Sequence, residues 1–246
     1  YEPRVKMFQP NEPYDIVITW VDWSDRDFVR KMVEKGGRSE GCEAGDFIEL
    51  KYLLRSLVAQ EVPYGKIYIV YSDNHPPPTY LQETDTLQFV PHSSLVRDSS
   101  YLPLIHRESI IAHLHRIPNL SRYYFYFEDD LFLMNRSILD LQISSYLKKG
   151  IYVDRVKLDK SYDVKAPEGL WRQSSVNSAM LITGWHKTPV ILNEHSINLF
   201  DREIMEELER TYPTQFEATM SYQNQREETD KEPNIIDAVS LFQNYL

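Results

Sequence analysis

The stretch DIVITWV (residues 15–21) is apolar at nearly every position and rich in β-branched side chains, the pattern of a strand covered on both faces. KIYIVYS (66–72), LQFVPH (87–92) and the aromatic run 123–127 predict three further strands. Between them, DFIELKYLLRSLVAQ (46–60) sets Phe47, Leu50, Leu53, Leu54, Leu57 and Val58 on one helical stripe, with Lys51 and Arg55 sharing another face. RESIIAHLHRI (107–117) predicts a second helix, and the prolines of DNHPPPTYL (73–81) exclude a helix interior. The β-α-β-β-α-β alternation predicts an α/β fold with a mainly parallel sheet flanked by helices.

Beyond residue 140 the pattern is less regular. Short strands are expected over 151–158 and a helix around 174–183. Asp201 is expected to cap a helix over 202–212 that buries Ile204, Met205 and Leu208. Residues 220–233 are polar and read as a loop, and a last helix is expected over 234–246, giving a helical C-terminal portion. No internal repeat or low-complexity tract interrupts the chain.

The 246 residues suffice for one large α/β domain or two small ones. A net charge of −10 argues against nucleic acid as a partner, because that needs a basic face. An anionic substrate then requires a cation or a local Arg/His cluster. Cys42 is the single cysteine, so neither an internal disulfide nor a cysteine metal site is expected. No run approaches the roughly 20 apolar residues of a membrane span, and no signal peptide is visible. The chain starts at Tyr1, which leaves room for a membrane anchor outside it.

Ligands of open parallel sheets bind outside the carboxyl ends of the strands. Three such ends are polar: Asp22, Ser24 and Asp25 after the first strand; Ser72, Asp73 and Asn74 after the second; Glu128, Asp129 and Asp130 after the fourth. Oxygen-only clusters suit Mg²⁺ or Mn²⁺, which in turn hold phosphates. An adjacent Asp pair is often just a solvated turn, but its place beside two other polar strand ends favours a metal. In HRESIIAHLHRI, His106, Ile110 and His113 lie near one helical face, and His115 and Arg116 lie away from it. A single histidine is more often a hydrogen-bonded structural residue than a functional one, and the spacing here is not the i, i+4 pair of a zinc helix. Arg116 as a phosphate contact and one histidine as a base are the functional expectations. In NEHSINLFDRE (193–203), His195 precedes a helix start that favours an anion; the alternative is a plain surface loop. Trp20 is either core or a stacking platform for a base or sugar.

DIVITWVDWSD, ELKYLLRSL, KIYIVYSDNHPP, SYLPLI, AHLHRIPNLSRYYFYFEDDLFL and HSINLFDREIMEEL, in that order, resemble the Stealth family. Its members are the hexose-1-phosphate transferases of bacterial capsule synthesis and the eukaryotic N-acetylglucosamine-1-phosphotransferase that starts the mannose-6-phosphate tag on lysosomal enzymes. The resemblance covers 15–28 and 46–136, and more loosely 185–245. It implies one Rossmann-like catalytic domain over 1–246, with 1–140 the nucleotide-sugar half and 141–246 the helical, substrate-side half. A UDP-sugar donor, Mg²⁺ or Mn²⁺, and transfer of the sugar 1-phosphate to a hydroxyl of a glycan or polysaccharide acceptor with loss of UMP are implied. A homodimer is among the expected assemblies. The compartment is open between the Golgi lumen, for a eukaryotic member, and the cytoplasm or a membrane periphery, for a bacterial one. By the same resemblance Asp15, Trp20, Asp22, Arg55, Asn74, His115 and Arg226 are expected to bind substrate. His195, His113, Asp25 and Arg116 are expected in catalysis, and Asp129 and Asp130 as metal ligands.

The sequence also departs from the family pattern. Trp23 stands where a glycine usually follows, Glu128 replaces the usual Asn before the Asp pair, and Ile111 and Ile197 stand for Glu and Pro. The family's fourth block has no counterpart before Leu246, from which either an early end or a shortened member is expected. Two alternatives follow: a metal-dependent glycosyltransferase releasing UDP, and a non-catalytic sugar-nucleotide or glycan-binding relative.

Overall fold

The computed structural model describes residues 13–34, 48–149, 178 and 197–221. Strand β1 (Tyr14–Trp20) lies at the centre of a five-stranded sheet, followed by helices α1 (Arg26–Glu34) and α2 (Glu49–Ala59). Then come β2 (Ile67–Tyr71), β3 (Leu87–Pro91), α3 (Arg107–His113), β4 (Tyr123–Glu128) and α4 (Ser137–Lys149). β5 (Asn198–Asp201), α5 (Arg202–Thr211) and α6 (Pro213–Met220) complete the described chain. The strand order is β3-β2-β1-β4-β5. β1 pairs parallel with β2 and β4, β2 pairs parallel with β3, and β5 runs antiparallel to β4. The fold is therefore α/β with a mostly parallel sheet, consistent with a Rossmann-like topology.

Alternation along the strands sorts the core into two layers. Ile16, Ile18, Trp20, Phe125 and Phe127 face α2, whose Leu50, Leu53 and Leu57 are fully buried. Val17, Tyr68, Tyr124 and Tyr126 face the opposite side, under Ile111 and Leu114 around the end of α3, Met205 and Leu208 of α5, and Phe216 of α6. Helices cover both faces, which is why β1 and β4 read as continuous apolar runs. The α2 stripe is narrower than expected: Leu54 is half-buried and Val58 is exposed. The expected helix over 107–117 closes as a 3₁₀ turn over Leu114–Arg116.

Asp201 caps α5 as expected, its carboxylate accepting from the Glu203 N–H at 2.9 Å, and Ile204, Met205 and Leu208 are buried. Arg122 donates to the same fully buried carboxylate, clamping β5 to the start of β4. Helices α1, α4 and α6 and strand β5 were not legible from pattern. The expected strands over 151–158 and the helix over 234–246 lie outside the described residues. Of 174–183 only Ser178 is described, helical and buried.

Asp15 corrects an expectation. It is the second residue of β1 and lies at the amino end of the sheet, about five residues or ~16 Å from the carboxyl rim. Its side chain is buried and accepts from the Lys66 N–H at 2.8 Å and the Ser121 N–H at 2.7 Å. These amides enter β2 and β4, so one carboxylate ties three strand starts together and contacts no substrate rim. Gly65 packs so closely that a Cβ there would sit 2.7 Å from Asp15 Oδ1. Asp15→Ala should destabilise the protein by about 3 kcal/mol, since two backbone donors lose a charged acceptor. Urea unfolding should show this loss, with ligand affinity of the folded fraction unchanged.

Candidate active site at the carboxyl rim

The loops after β1, β2 and β4 converge as the sheet reading requires. Asp129 is the key observation: its carboxylate accepts from the Val21 N–H and from its own N–H, which puts it against the tip of β1. Burial and the adjacent Asp130 push its pKa up to about 7, against those two hydrogen bonds. Glu49 at the start of α2 adds to the push. Asp130 is exposed. Among the described residues no basic side chain forms an ion pair with Asp129 or Asp130.

Glu128, the third acid, is paired. Alternation sends it to the α3 side of the sheet, where it forms a short ion pair with Arg107. Burial works against the charge of Arg107, but Tyr126, Glu128 and Glu108 outweigh it and hold the guanidinium firmly protonated. Glu108 is drawn down to about 2: burial opposes its charge, and the hydrogen bond from His106 and the charge of Arg107 prevail. Arg107 also lies over the Tyr126 ring, 5.7 Å from its centroid, and Tyr126 OH meets Thr19 Oγ1 at 3.1 Å. Sequence reasoning missed Arg107, because its partner is 21 positions away. The available signal was the three-acid strand end, which called for a cation.

His75 is the second residue the sequence did not flag. Its Nδ1–H donates to Pro76 O at 2.9 Å, and Nε2 accepts from the Asp22 N–H at 3.4 Å. Its buried ring meets Trp20 edge-on at 5.0 Å and Phe28 at 5.2 Å. It thereby fastens the β1 loop to the β2 loop. Asp22 turns that loop by accepting from the Ser24 N–H at 2.9 Å. Asn74 accepts from Lys31 of α1 at 3.3 Å. Asp22, Asn74, Asp129 and Asp130 therefore share the rim.

Other expected site residues do not. Trp20 is core: its indole is buried under His75, and Trp23 is the exposed aromatic of this loop. Asp25 caps α1, accepting from the Phe28 N–H at 2.9 Å, so its carboxylate is committed to the helix rather than to proton transfer. Arg55 lies on the exposed face of α2, over the Tyr52 ring at 5.7 Å. His113 is fully buried in the core; Nδ1 donates to the Ser109 carbonyl at 2.8 Å, and burial lowers its pKa to about 4. His115 and Arg116 lie at the far end of α3 from Arg107, about 10–15 Å along the helix axis. Both bind Glu209 of α5, at 3.0 and 2.6 Å, and the His115 hydrogen bond leads in drawing that carboxyl down to about 2. They line a separate hollow of about 400 Å³ with Arg97 and Arg210. His195 and Arg226 lie outside the described residues. Among the described residues no group of three or more His, Cys, Asp or Glu side chains is arranged to hold a metal, and no helix is long and apolar enough to cross a membrane.

The domain is α/β with a polar rim at the carboxyl ends of a mostly parallel sheet, where ligands of such folds bind, and comparison with known proteins narrows the reading. Residues 44–149 match the family model described as Stealth protein CR2, conserved region 2. The chain is 27% identical over 216 residues to the exopolysaccharide phosphotransferase CpsY of Mycobacterium tuberculosis, covering 83% of this chain and 40% of that protein. It is 27% identical over 227 residues to the capsular polysaccharide phosphotransferase fcs1 of Haemophilus influenzae, covering 85% of this chain and 60% of the relative. A third relative, the capsular polysaccharide phosphotransferase LcbA of Aeromonas hydrophila, is 33% identical over 132 residues, covering 49% of this chain and 36% of that protein. Over residues 44–149 the chain is thus similar to the Stealth family. It spans 40% and 60% of the length of the first two relatives. The matched region runs from α2 to α4 and so carries Asn74, His75, Arg107, Asp129 and Asp130.

Two outcomes follow for the site's framework. His75→Leu should lower the melting temperature by about 3 °C, the worth of one buried acceptor in a chain of this size. Amide exchange at Asp22 should speed up, and His75→Gln, which keeps an acceptor, should recover part of the loss. Burial holds His92 near 3 and His113 near 4, so both stay neutral when folded, with Asp73, His113 and His75 the ionisable groups around His92. Unfolded, both titrate near 6.5. Their contribution is thus complete above pH 6.5 and is lost as pH falls toward 4, by up to about 1.4 kcal/mol per pH unit for each histidine. Melting curves should shift down over that window, and His113→Leu should flatten the slope.

Proposed function

We propose that this chain carries the donor side of a sugar 1-phosphate transferase. A UDP-sugar such as UDP-N-acetylglucosamine binds at the rim, a hydroxyl of a glycan acceptor attacks the phosphorus next to the sugar, and the bridging bond breaks so that UMP leaves. The observation that carries this reading is the Asp129–Asp130 pair at the tip of β1, uncompensated by any described cationic side chain and with Asp129 pushed up to about 7. Hard divalent cations take one or two carboxylates and complete their shell with water and phosphate oxygens, so the donor set fits Mg²⁺ or Mn²⁺. Asp129 and Asp130 would hold it. Once bound, the ion supplies charge neutralisation for the diphosphate and the departing UMP.

The chain's own groups do the rest. His75 holds the Asp22 loop against the β2 loop, so the rim is formed before substrate arrives. Arg107 neutralises Glu128 and leaves the two aspartates as the net charge of the β4 tip. Asp25 and His113 are committed to helix capping and to the core, which leaves His195, on sequence grounds alone, as the base from the expected set. The relatives are all named phosphotransferases, which supports this class over a transferase that leaves UDP.

Asp130→Asn should cut turnover of a UDP-sugar at least about 100-fold without shifting the melting temperature, because Asp130 is exposed and the ion contributes several kcal/mol. Chelation should do the same to the wild type, and Mn²⁺ should restore it. Anion-exchange separation of the nucleotide product decides the reaction: UMP supports the transfer of a sugar phosphate, and UDP refutes it.

A further inference from the structure

A cavity of about 480 Å³ opens at the carboxyl ends of β2 and β3, within the 300–1,000 Å³ range of small-molecule sites. Tyr71, Pro76, Pro77 and Pro91 give it flat apolar walls, and Asp73 and Asn74 are its polar groups. Each wall is held in place. Tyr71 is set against Phe89 at 6.5 Å and against His75 at 6.3 Å. Asp73 accepts from the Ser93 N–H at 2.8 Å and, through its other oxygen, from the Ser93 hydroxyl. Asn74 is tethered by Lys31, and its side-chain amide donates to Ser72 Oγ at 3.4 Å. Prolines have no rotamer freedom to lose, so ordering this cleft around a ring costs little entropy.

Its position is informative. The strand order reverses at β1, with β2 and β3 to one side and β4 to the other, and ligands of such sheets lie across that point. The β2 tip is two strand spacings, about 10 Å, from the β4 tip where Asp129 sits. A ligand with its diphosphate over β1 and β4 therefore extends its other end over β2 and β3. We propose that this cavity is the nucleoside subsite of the donor: Tyr71 and the prolines clasp the planar base, and Asp73 and Asn74 take the ribose hydroxyls. Each carboxylate oxygen of Asp73 has a lone pair left after Ser93. The inference rests on the reading of the rim as a nucleotide-sugar site and adds which end of the nucleotide goes where.

Uridine, which has no phosphate, is the probe that separates this cavity from the acidic pair. In amide NMR spectra of the whole chain, uridine should shift the signals of Tyr71, Asn74 and His75 with no divalent ion present, and leave 128–130 unmoved. Asn74→Leu removes a polar contact at an accessible position, and Asn74→Trp fills the cavity. Each should raise the KM for UDP-sugar at least tenfold with kcat changed less than threefold. Turnover with an unchanged KM in both variants, or uridine shifts confined to other residues, overturns the subsite while leaving the donor reading intact. Absence of both turnover and nucleotide binding in the wild type overturns both.

Discussion

A strand buried on both faces has no place for charge along its length, and β1 and β4 are such strands. From Ile16 to Ile18 and from Tyr123 to Phe127 every side chain is at most 1% exposed. Polar side chains are therefore driven to the two ends of the sheet, where they meet different demands. At the amino end a single carboxylate, Asp15, is surrounded by backbone N–H groups and acts as a structural tie. At the carboxyl end three carboxylates arrive together, and among the described residues only one, Glu128, finds a cation. The surplus at that end is the chemical asset of the fold.

The distribution of compensating charges explains how the surplus is tolerated. Arg107 opens α3 and reaches Glu128 because α3 covers the face to which Glu128 points. Asp129 lies toward the start of α2 and, among the described residues, receives only backbone donors. In the core His92 and His113 are kept neutral by burial, and His75 bridges two loops through its contacts with Pro76 O and the Asp22 N–H. The basic residues at the far end of α3 are occupied by Glu209, which fastens α5 to the turn that precedes β4.

The framework was legible where periodicity is strong. Continuous apolar runs gave β1, β2 and β4, the leucine stripe gave α2, and an Asp followed by an amphipathic segment gave α5 with its cap. Short elements failed. In α1 only Phe28 and Met32 are buried among nine residues, and β5 has four residues in a polar neighbourhood, so neither carries a readable period. The place of Asp129, Asp130 and Asn74 on the carboxyl rim was legible because strand ends are easy to locate from apolar runs. Asp15 was misplaced because its partners are backbone amides 51 and 106 positions away, invisible in a side-chain pattern. His113 was misread for a local reason: its Nδ1 bonds the carbonyl four residues earlier, a use of the side chain that leaves no mark in the sequence.

The antiparallel strand β5 has a consequence for how the molecule assembles. It joins β4 across about seventy residues of chain, a longer closure than the β1–β2 and β2–β3 pairings and a shorter one than the β1–β4 pairing. The short closures among β1, β2 and β3 can therefore form first, around α2, ahead of the two longer ones that bring in β4 and β5. The unit formed by β5, α5 and α6 then locks on as a late-arriving cover, its entropic penalty offset by the Arg122–Asp201 clasp and by Phe200, Met205, Leu208 and Phe216. As an edge strand paired with β4 alone, it can peel away without breaking any parallel pairing, and its release would uncover Tyr124 and Tyr126 while the acidic tips of β1 and β4 stayed in register.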